Sequence, residues 1–298
     1  MNRLGGDISL RESKKGGDVS ERVSLNPARW TECYSRIIIL VHGYNNSFCA
    51  GCKSYADFMK RVPERFPRVG RLFWPGDITP SFISGISYPH KVGTAKECGE
   101  KLADFLAELA SRRSVPIEVS FVGHSLGCRV VLETLKAARR QAVWPSVHAV
   151  CLMAAAVPVG LVEPNEEFEE ASRGVEHRLV LFSHSDNVLK WAFPVGQAYA
   201  ALFAGTEDEI YLSAVGLKGR PDSYPTAAAH MRGNGHSDYW SDRRIFRHIS
   251  PVMGIAVEQT VEPRWLPEHD APAPVASLIR RTPERRMGPA WRSDCESC

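Results

Sequence analysis

With 298 residues, 44% of them apolar and 24% charged, the chain has the composition of one large soluble α/β domain or two small ones, and a net charge of +3 gives no ground for a nucleic-acid or anionic-membrane partner. It holds no run of apolar residues long enough to span a bilayer, and Met1-Asn2-Arg3-Leu4-Gly5-Gly6-Asp7 lacks the apolar stretch of a secretory signal. Both features point to a cytoplasmic protein, in which the eight cysteines (Cys33, Cys49, Cys52, Cys98, Cys128, Cys151, Cys295 and Cys298) are expected as reduced thiols and not as a disulfide framework.

Residues 1–22 are polar, glycine-containing and mixed in charge, and read as a flexible N-terminal arm. An edge strand is expected to begin within Val23–Leu25. Arg36-Ile37-Ile38-Ile39-Leu40-Val41 is a continuous apolar, β-branched run, the pattern of a strand buried on both faces of a parallel sheet. Ser54–Val62 predicts a helix with Tyr55, Phe58, Met59 and Val62 on one face, ended by Pro63. Arg71–Trp74 predicts the next strand, closed by Pro75-Gly76. Residues 77–93 read as a loop whose Phe82, Ile83, Ile86 and Tyr88 roof a cleft. Thr94-Ala95-Lys96-Glu97 is a capping-box pattern, opening a helix with Cys98, Leu102, Phe105, Leu106 and Leu109 along one stripe.

A strand over Ile117–Val122 and a helix from Leu126 through Leu135 come next, then a strand over His148–Met153 and an acidic loop from Glu163 to Glu170. Arg178–Phe182 predicts a further strand, followed by the loop Ser183-His184-Ser185-Asp186-Asn187. A helix through Trp191, Phe193 and Tyr199 is expected to reach Phe203, and Ile210–Leu212 to begin a last strand. Gly216–His236 reads as loop and Asp238–His248 as helix, with Val252–Gly254 ending the core. The division is thus an arm over 1–22, an α/β domain over 23–258 and a Pro/Arg-rich, disordered tail over 259–298. Strands alternating with helices predict a mostly parallel central sheet with helices on both faces, which binds ligands at the carboxyl ends of its strands.

The chemistry centres on Gly123-His124-Ser125-Leu126-Gly127, a G-x-S-x-G between a buried strand and a helix. In that setting the pattern is a nucleophile elbow: the flanking glycines make room for a sharp turn that lifts the serine hydroxyl clear of the sheet, and the helix amino end favours a developing oxyanion. The backbone N–H of Leu126 is one expected oxyanion donor. His42-Gly43-Tyr44 at the end of an earlier strand offers a second at Tyr44, the alternative there being a plain β-turn. A serine needs a base, and the base a carboxylate that fixes its tautomer. In this fold class the order is serine, acid, histidine. Asp186 follows a strand as the acid should; its alternative is a helix N-cap, and Glu163 and Asp222 are weaker rivals. His236, in Gly233-Asn234-Gly235-His236-Ser237-Asp238-Tyr239-Trp240, is preferred as base over His230, His248 and His269. His42, Gly43, His124, Tyr88 and Trp191 are expected around the substrate cleft.

Val41–Phe48, Trp74-Pro75-Gly76, Gly123–Gly127, Ser183–Asp186 and Gly235–Tyr239 together resemble the α/β-hydrolase superfamily, and within it a bacterial esterase/lipase-like branch of unassigned function, over about residues 30–255. The resemblance implies a serine-hydrolase triad of Ser125, Asp186 and His236 and names no substrate. The resulting expectation is a cofactor-free carboxylic ester hydrolase acting on a small-molecule ester, with short or medium acyl chains favoured; the alternative is a non-catalytic binding protein of the same fold. The sequence leaves the oligomeric state open. Two C-x-x-C pairs fall outside the family pattern. Cys49, Cys52, Cys295 and Cys298 could hold a structural zinc, Cys49 and Cys52 could form a redox dithiol, or all four could be ordinary thiols. Cys128 and Cys151 fall on apolar faces and are assigned to the core.

Overall fold

Apolar, β-branched runs separated by helical stripes build one eight-stranded sheet in the computed structural model, which describes residues 4–13, 18–62, 66–77, 84–199, 213–219 and 227–254. The strands are β1 (Leu4–Arg11), β2 (Val19–Asn26), β3 (Arg36–Val41), β4 (Arg68–Phe73), β5 (Glu118–His124), β6 (Ser146–Met153), β7 (His177–Phe182) and β8 (Ala227–His230). Their order across the sheet is β2-β1-β4-β3-β5-β6-β7-β8, parallel throughout except for the antiparallel β1–β2 pair. The helices are α1 (Phe48–Met59), α2 (Ser84–Ser111), α3 (Gly127–Ala138), α4 (Glu167–Ser172), α5 (Phe193–Tyr199), α6 (Val215–Lys218) and α7 (Ile245–Val252). This is the mostly parallel, helix-covered α/β architecture that the alternation predicts.

The central strands explain themselves. β3 has a neighbour on each edge, and Ile38 through Val41 are fully buried. Such a strand can be apolar on both faces because helices cover both. Register then sets the site: Val41 pairs with Gly123, His124 with Met153, Met153 with Leu181 and Phe182 with His230. The carboxyl ends of β3, β5, β6, β7 and β8 therefore line up at one edge of the sheet. The Tyr55 hydroxyl on α1 braces that edge, accepting the His42 N–H at 2.7 Å and donating to the Leu72 carbonyl at 2.5 Å.

Several expectations need correction. The flexible arm is instead β1 and the start of β2. Ile8 and Leu10 are fully buried, and the polar residues that suggested an arm have distant partners. Asp7 takes a two-pronged ion pair from Arg71 at 2.6 and 2.9 Å, and Arg11 donates to Asp77 at 2.9 Å and to the Trp74 carbonyl at 3.1 Å. Helix α1 starts six residues before the predicted Ser54, at Phe48, where the Ser47 hydroxyl caps it by accepting the Ala50 N–H at 3.2 Å. Residues 84–93 belong to α2, not to a loop; Thr94 is inside the helix and bonds back to the His90 carbonyl at 3.0 Å. Part of the acidic loop is α4, and the last described strand is β8, inside the predicted 216–236 loop.

A further correction concerns thiols. Cys33, Cys98, Cys128 and Cys151 are free, but Cys49 and Cys52 are disulfide-bonded. A count of cysteines cannot tell which sulfurs the fold brings within bonding reach. Phe82, Ile83, Phe203, Ile210–Leu212, Asp222 and the tail with His269, Cys295 and Cys298 lie outside the described residues. No helix among the described residues is long and apolar enough to cross a membrane.

Candidate active site

Ser125 has a positive φ of 54°, which a residue with a Cβ adopts only under constraint, at about 1–3 kcal/mol. Three backbone bonds hold it there. Its N–H donates to the Met153 carbonyl at 3.0 Å, and its carbonyl accepts from Cys128 at 3.1 Å and Ala156 at 3.2 Å. The end of β6 and the first turn of α3 thus clamp the elbow from both sides. The flanking glycines are spatial necessities. A Cβ on Gly127 would lie 2.3 Å from the His42 carbonyl oxygen, and one on Gly123 3.0 Å from Cys128 Cα.

Ser125, Asp186 and His236 converge. His236 Nε2 is 2.8 Å from Ser125 Oγ, and Nδ1 is 2.7 Å from Asp186 Oδ2. An ionised carboxylate only accepts, so Nδ1 carries the proton and Nε2 is left to accept from the serine hydroxyl, a tautomer assigned from the bonding pattern. Asp186 is fully buried, and its other oxygen accepts the Leu189 N–H at 3.0 Å. Oδ1 thus caps the turn that follows, while Oδ2 faces the imidazole of His236.

The loop carrying His236 is tied down by residues that sequence reasoning missed. Ser183 Oγ donates to the Asn234 carbonyl at 2.7 Å, and the Gly235 N–H donates to Asp238 at 2.7 Å. His124 Nε2 lies 2.7 Å from the His236 carbonyl oxygen and must donate to it. Burial, and then the neighbouring His236 charge, push the His124 pKa down to about 3. Burial likewise lowers His42 to about 4. Both imidazoles stay neutral at physiological pH and act through shape and hydrogen bonding.

A cavity of about 510 Å³ opens over Ser125 and His236. Tyr44, Asn45, Asn46, Val188, Leu189 and Phe193 are among the residues that line it. Of the residues expected around the cleft, His124 lines it and Gly43 lies directly under Ser125, where an added Cβ would come within 2.8 Å of the serine Cβ. His42 does not line it. It is fully buried and stacked on Trp74 at 5.8 Å, because the chain leaving β3 turns its side chain into the core. Trp191 does not line it either: the residue is 67% exposed, with Lys190 Nζ 5.2 Å from its ring centroid. The Tyr88 side chain is outside the described set. Tyr44 borders the cavity, and Leu126, the residue after Ser125, is the buried N-cap of α3.

The rival residues fall elsewhere. His230 stacks on Phe182 at 5.1 Å and neighbours His184 at 4.6 Å, and His248 sits on α7. Glu163 ends a short 3₁₀ turn. Cys49 and Cys52, being disulfide-bonded, present no thiolate to a metal.

Residues 19–201 match the sequence family described as alpha/beta hydrolase of unknown function, DUF900. The chain belongs to that family. The match spans the elbow and Asp186 but stops before the loop of His236, so DUF900 membership says nothing of the third residue. No curated protein matches the sequence. Among solved structures, a gene product of Listeria innocua aligns at 11% identity over 72% of this chain and 92% of its own, with a TM-score of 0.42. A methylesterase from Arabidopsis aligns at 13% identity over 73% and 98%, with a TM-score of 0.39. Acyl-protein thioesterase 2 of Zea mays aligns at 13% identity over 74% and 94%, also at 0.39. At these scores they carry no argument about substrate or chemistry.

Proposed function

We propose that this hydrolase-family protein cleaves carboxylic esters through an acyl-enzyme on Ser125. The observation that carries the reading is the unbroken relay from Asp186 through His236 to Ser125, at 2.7 and 2.8 Å. Ser125 Oγ attacks the acyl carbon while its proton moves to His236 Nε2. Asp186 holds the ring and stabilises the imidazolium. The N–H groups of Tyr44 and Leu126 receive the negative charge that develops on the carbonyl oxygen. His236 then returns the proton to the departing alcohol. Water, deprotonated by the same imidazole, releases the acid and restores the serine. Protons and bonds balance over the two half-reactions without a cofactor. Val188, Leu189 and Phe193 give the acyl group apolar contacts, and Asn45 and Asn46 supply polar anchors in the same cavity.

The test is labelling by a fluorophosphonate together with turnover of p-nitrophenyl esters. Wild-type protein should react with the probe and hydrolyse the esters, and Ser125→Ala should lose both, with turnover falling by on the order of 10⁶. A Ser125→Ala protein that kept a tenth of the activity would remove Ser125 as nucleophile. A folded wild-type protein that neither labels nor turns over would leave the binding-protein alternative.

A further inference from the structure

The end of the sheet remote from Ser125 carries a second cluster of reactive side chains. Glu176 immediately precedes β7, His177 is its first residue, and His148 is the third residue of the parallel neighbour β6. Glu176 bridges the two imidazoles: Oε2 lies 2.9 Å from His148 Nδ1 and Oε1 lies 3.4 Å from His177 Nε2. The rings stand edge to face at 4.9 Å, and the three donor atoms all fall within 4.8 Å of one another. From this geometry we propose that His148, Glu176 and His177 bind a divalent transition-metal ion of the Zn²⁺ type.

The donor set decides the kind of ion. Two imidazoles and one carboxylate suit zinc and its transition-metal neighbours, whereas calcium and magnesium prefer oxygen ligands. Zinc bonds of about 2.0–2.2 Å in a tetrahedron place neighbouring donor atoms roughly 3.3 Å apart. The two carboxylate–imidazole spacings, 2.9 and 3.4 Å, are already near that size, and no pair of donor atoms is more than 4.8 Å apart, so side-chain rotations can close the set around an ion. The cation would displace the protons that now link the imidazoles to the carboxylate. Burial is graded in a useful way. The His148 side chain is only 11% exposed and forms a fixed anchor, while His177 at 44% and Glu176 at 64% keep the site open to an incoming ion and to solvent ligands. Arg36 is the opposing charge. Its guanidinium is taken up by Glu118 at 2.6 Å.

The site is remote from the hydrolytic relay. His148 is five residues from Met153 along β6, about 17 Å at strand rise, and Met153 is the residue that clamps Ser125. A metal there would tie the amino ends of β6 and β7 together and stabilise the fold by binding it and not the unfolded chain. It would have no part in ester cleavage.

Calorimetric titration of the full chain with Zn²⁺, repeated with Co²⁺ for its visible absorption, tests the proposal. Wild-type protein should bind at micromolar concentration and melt at a higher temperature with metal. His177→Ala and Glu176→Gln change exposed residues and should fold normally. Each should weaken a bound equivalent by at least about tenfold, since even outer partners of metal ligands are worth that much. Each should also lose the metal-dependent rise in melting temperature and change the Co²⁺ spectrum. Absence of micromolar binding in wild type, or equal binding by wild type and both variants, would overturn the site; the second result would move the metal to other ligands.

Discussion

Replacing His124 with glutamine is expected to make the protein less sensitive to acid. In the folded chain, burial and then the adjacent His236 charge hold the His124 pKa near 3, while the unfolded imidazole titrates at 6.5. Between these values the unfolded chain takes up a proton that the folded chain refuses. The contribution to stability is therefore complete above pH 6.5 and is lost as the pH falls through that window. At pH 4.5, two units below the unfolded value, the loss from this residue is about 2.7 kcal/mol, taking about 1.4 kcal/mol per unit. Against a total stability of about 5–15 kcal/mol this is a large fraction. Glutamine can still offer an N–H toward the His236 carbonyl but has nothing to titrate. The substitution costs something at every pH, so the quantity to read is the difference in unfolding free energy between pH 7 and pH 4.5, from urea melts followed by tryptophan fluorescence. His42, lowered to about 4, contributes equally to both proteins and cancels. Wild type should lose about 2.7 kcal/mol more than His124→Gln. Equal losses in the two proteins would refute the claim that the folded protein keeps this imidazole neutral.

Three further outcomes follow from the same geometry. His236→Ala should abolish ester turnover while His230→Ala, altering a side chain stacked on Phe182, should leave it; Asp186→Asn should slow turnover by on the order of 10⁴ through the wrong imidazole tautomer, and kinetics with a p-nitrophenyl ester check all three. Gly127→Ala drives a Cβ to 2.3 Å from the His42 carbonyl and should cost at least about 3 kcal/mol in chemical denaturation or leave the chain unable to fold. Across p-nitrophenyl esters of rising acyl length, kcat/KM should peak at short or medium chains, because the acyl wall belongs to a bounded cavity of about 510 Å³; a steady rise to the longest chains would contradict this.

Some of this was legible in the sequence because the physics is local. A strand in the middle of a parallel sheet must be apolar on both faces, so Ile37–Val41 and Phe121–Val122 announce themselves. The elbow is legible because Gly123 and Gly127 answer to contacts that reach only a few ångströms. What escaped depends on partners far along the chain. β1 looks like a polar arm until Arg71 meets Asp7 and Asp77 meets Arg11. Ser183 and Asn234 lie far apart in sequence, and their bond forms only once β7 and β8 lie side by side. Trp191 shows a third kind of failure. The segment Val188–Ala192 is a π-helical turn, wider than the α-helix that a 3.6-residue period assumes. The phase slips across it, so Phe193 faces the cavity and Trp191 faces solvent, although the sequence suggests a shared wall.

That π-helical turn also ties the acid of the relay to the shape of the cavity. Asp186 Oδ1 receives the Leu189 N–H, and the Asp186 carbonyl receives the Lys190 N–H, both at 3.0 Å. Val188 and Leu189, which these bonds position, are cavity residues. The carboxylate that orients His236 thereby also fixes where the apolar wall begins. A fully buried carboxylate with only one partner would leave lone pairs unmet in a low-dielectric setting, at a cost of a few kcal/mol. Here the second oxygen is satisfied by the backbone of the wall itself. Displacing the wall would loosen the hold on Asp186, and losing Asp186 would free the wall. Substitutions at Leu189 should therefore act on kcat as well as on KM, although its side chain touches none of the three relay residues through a hydrogen bond.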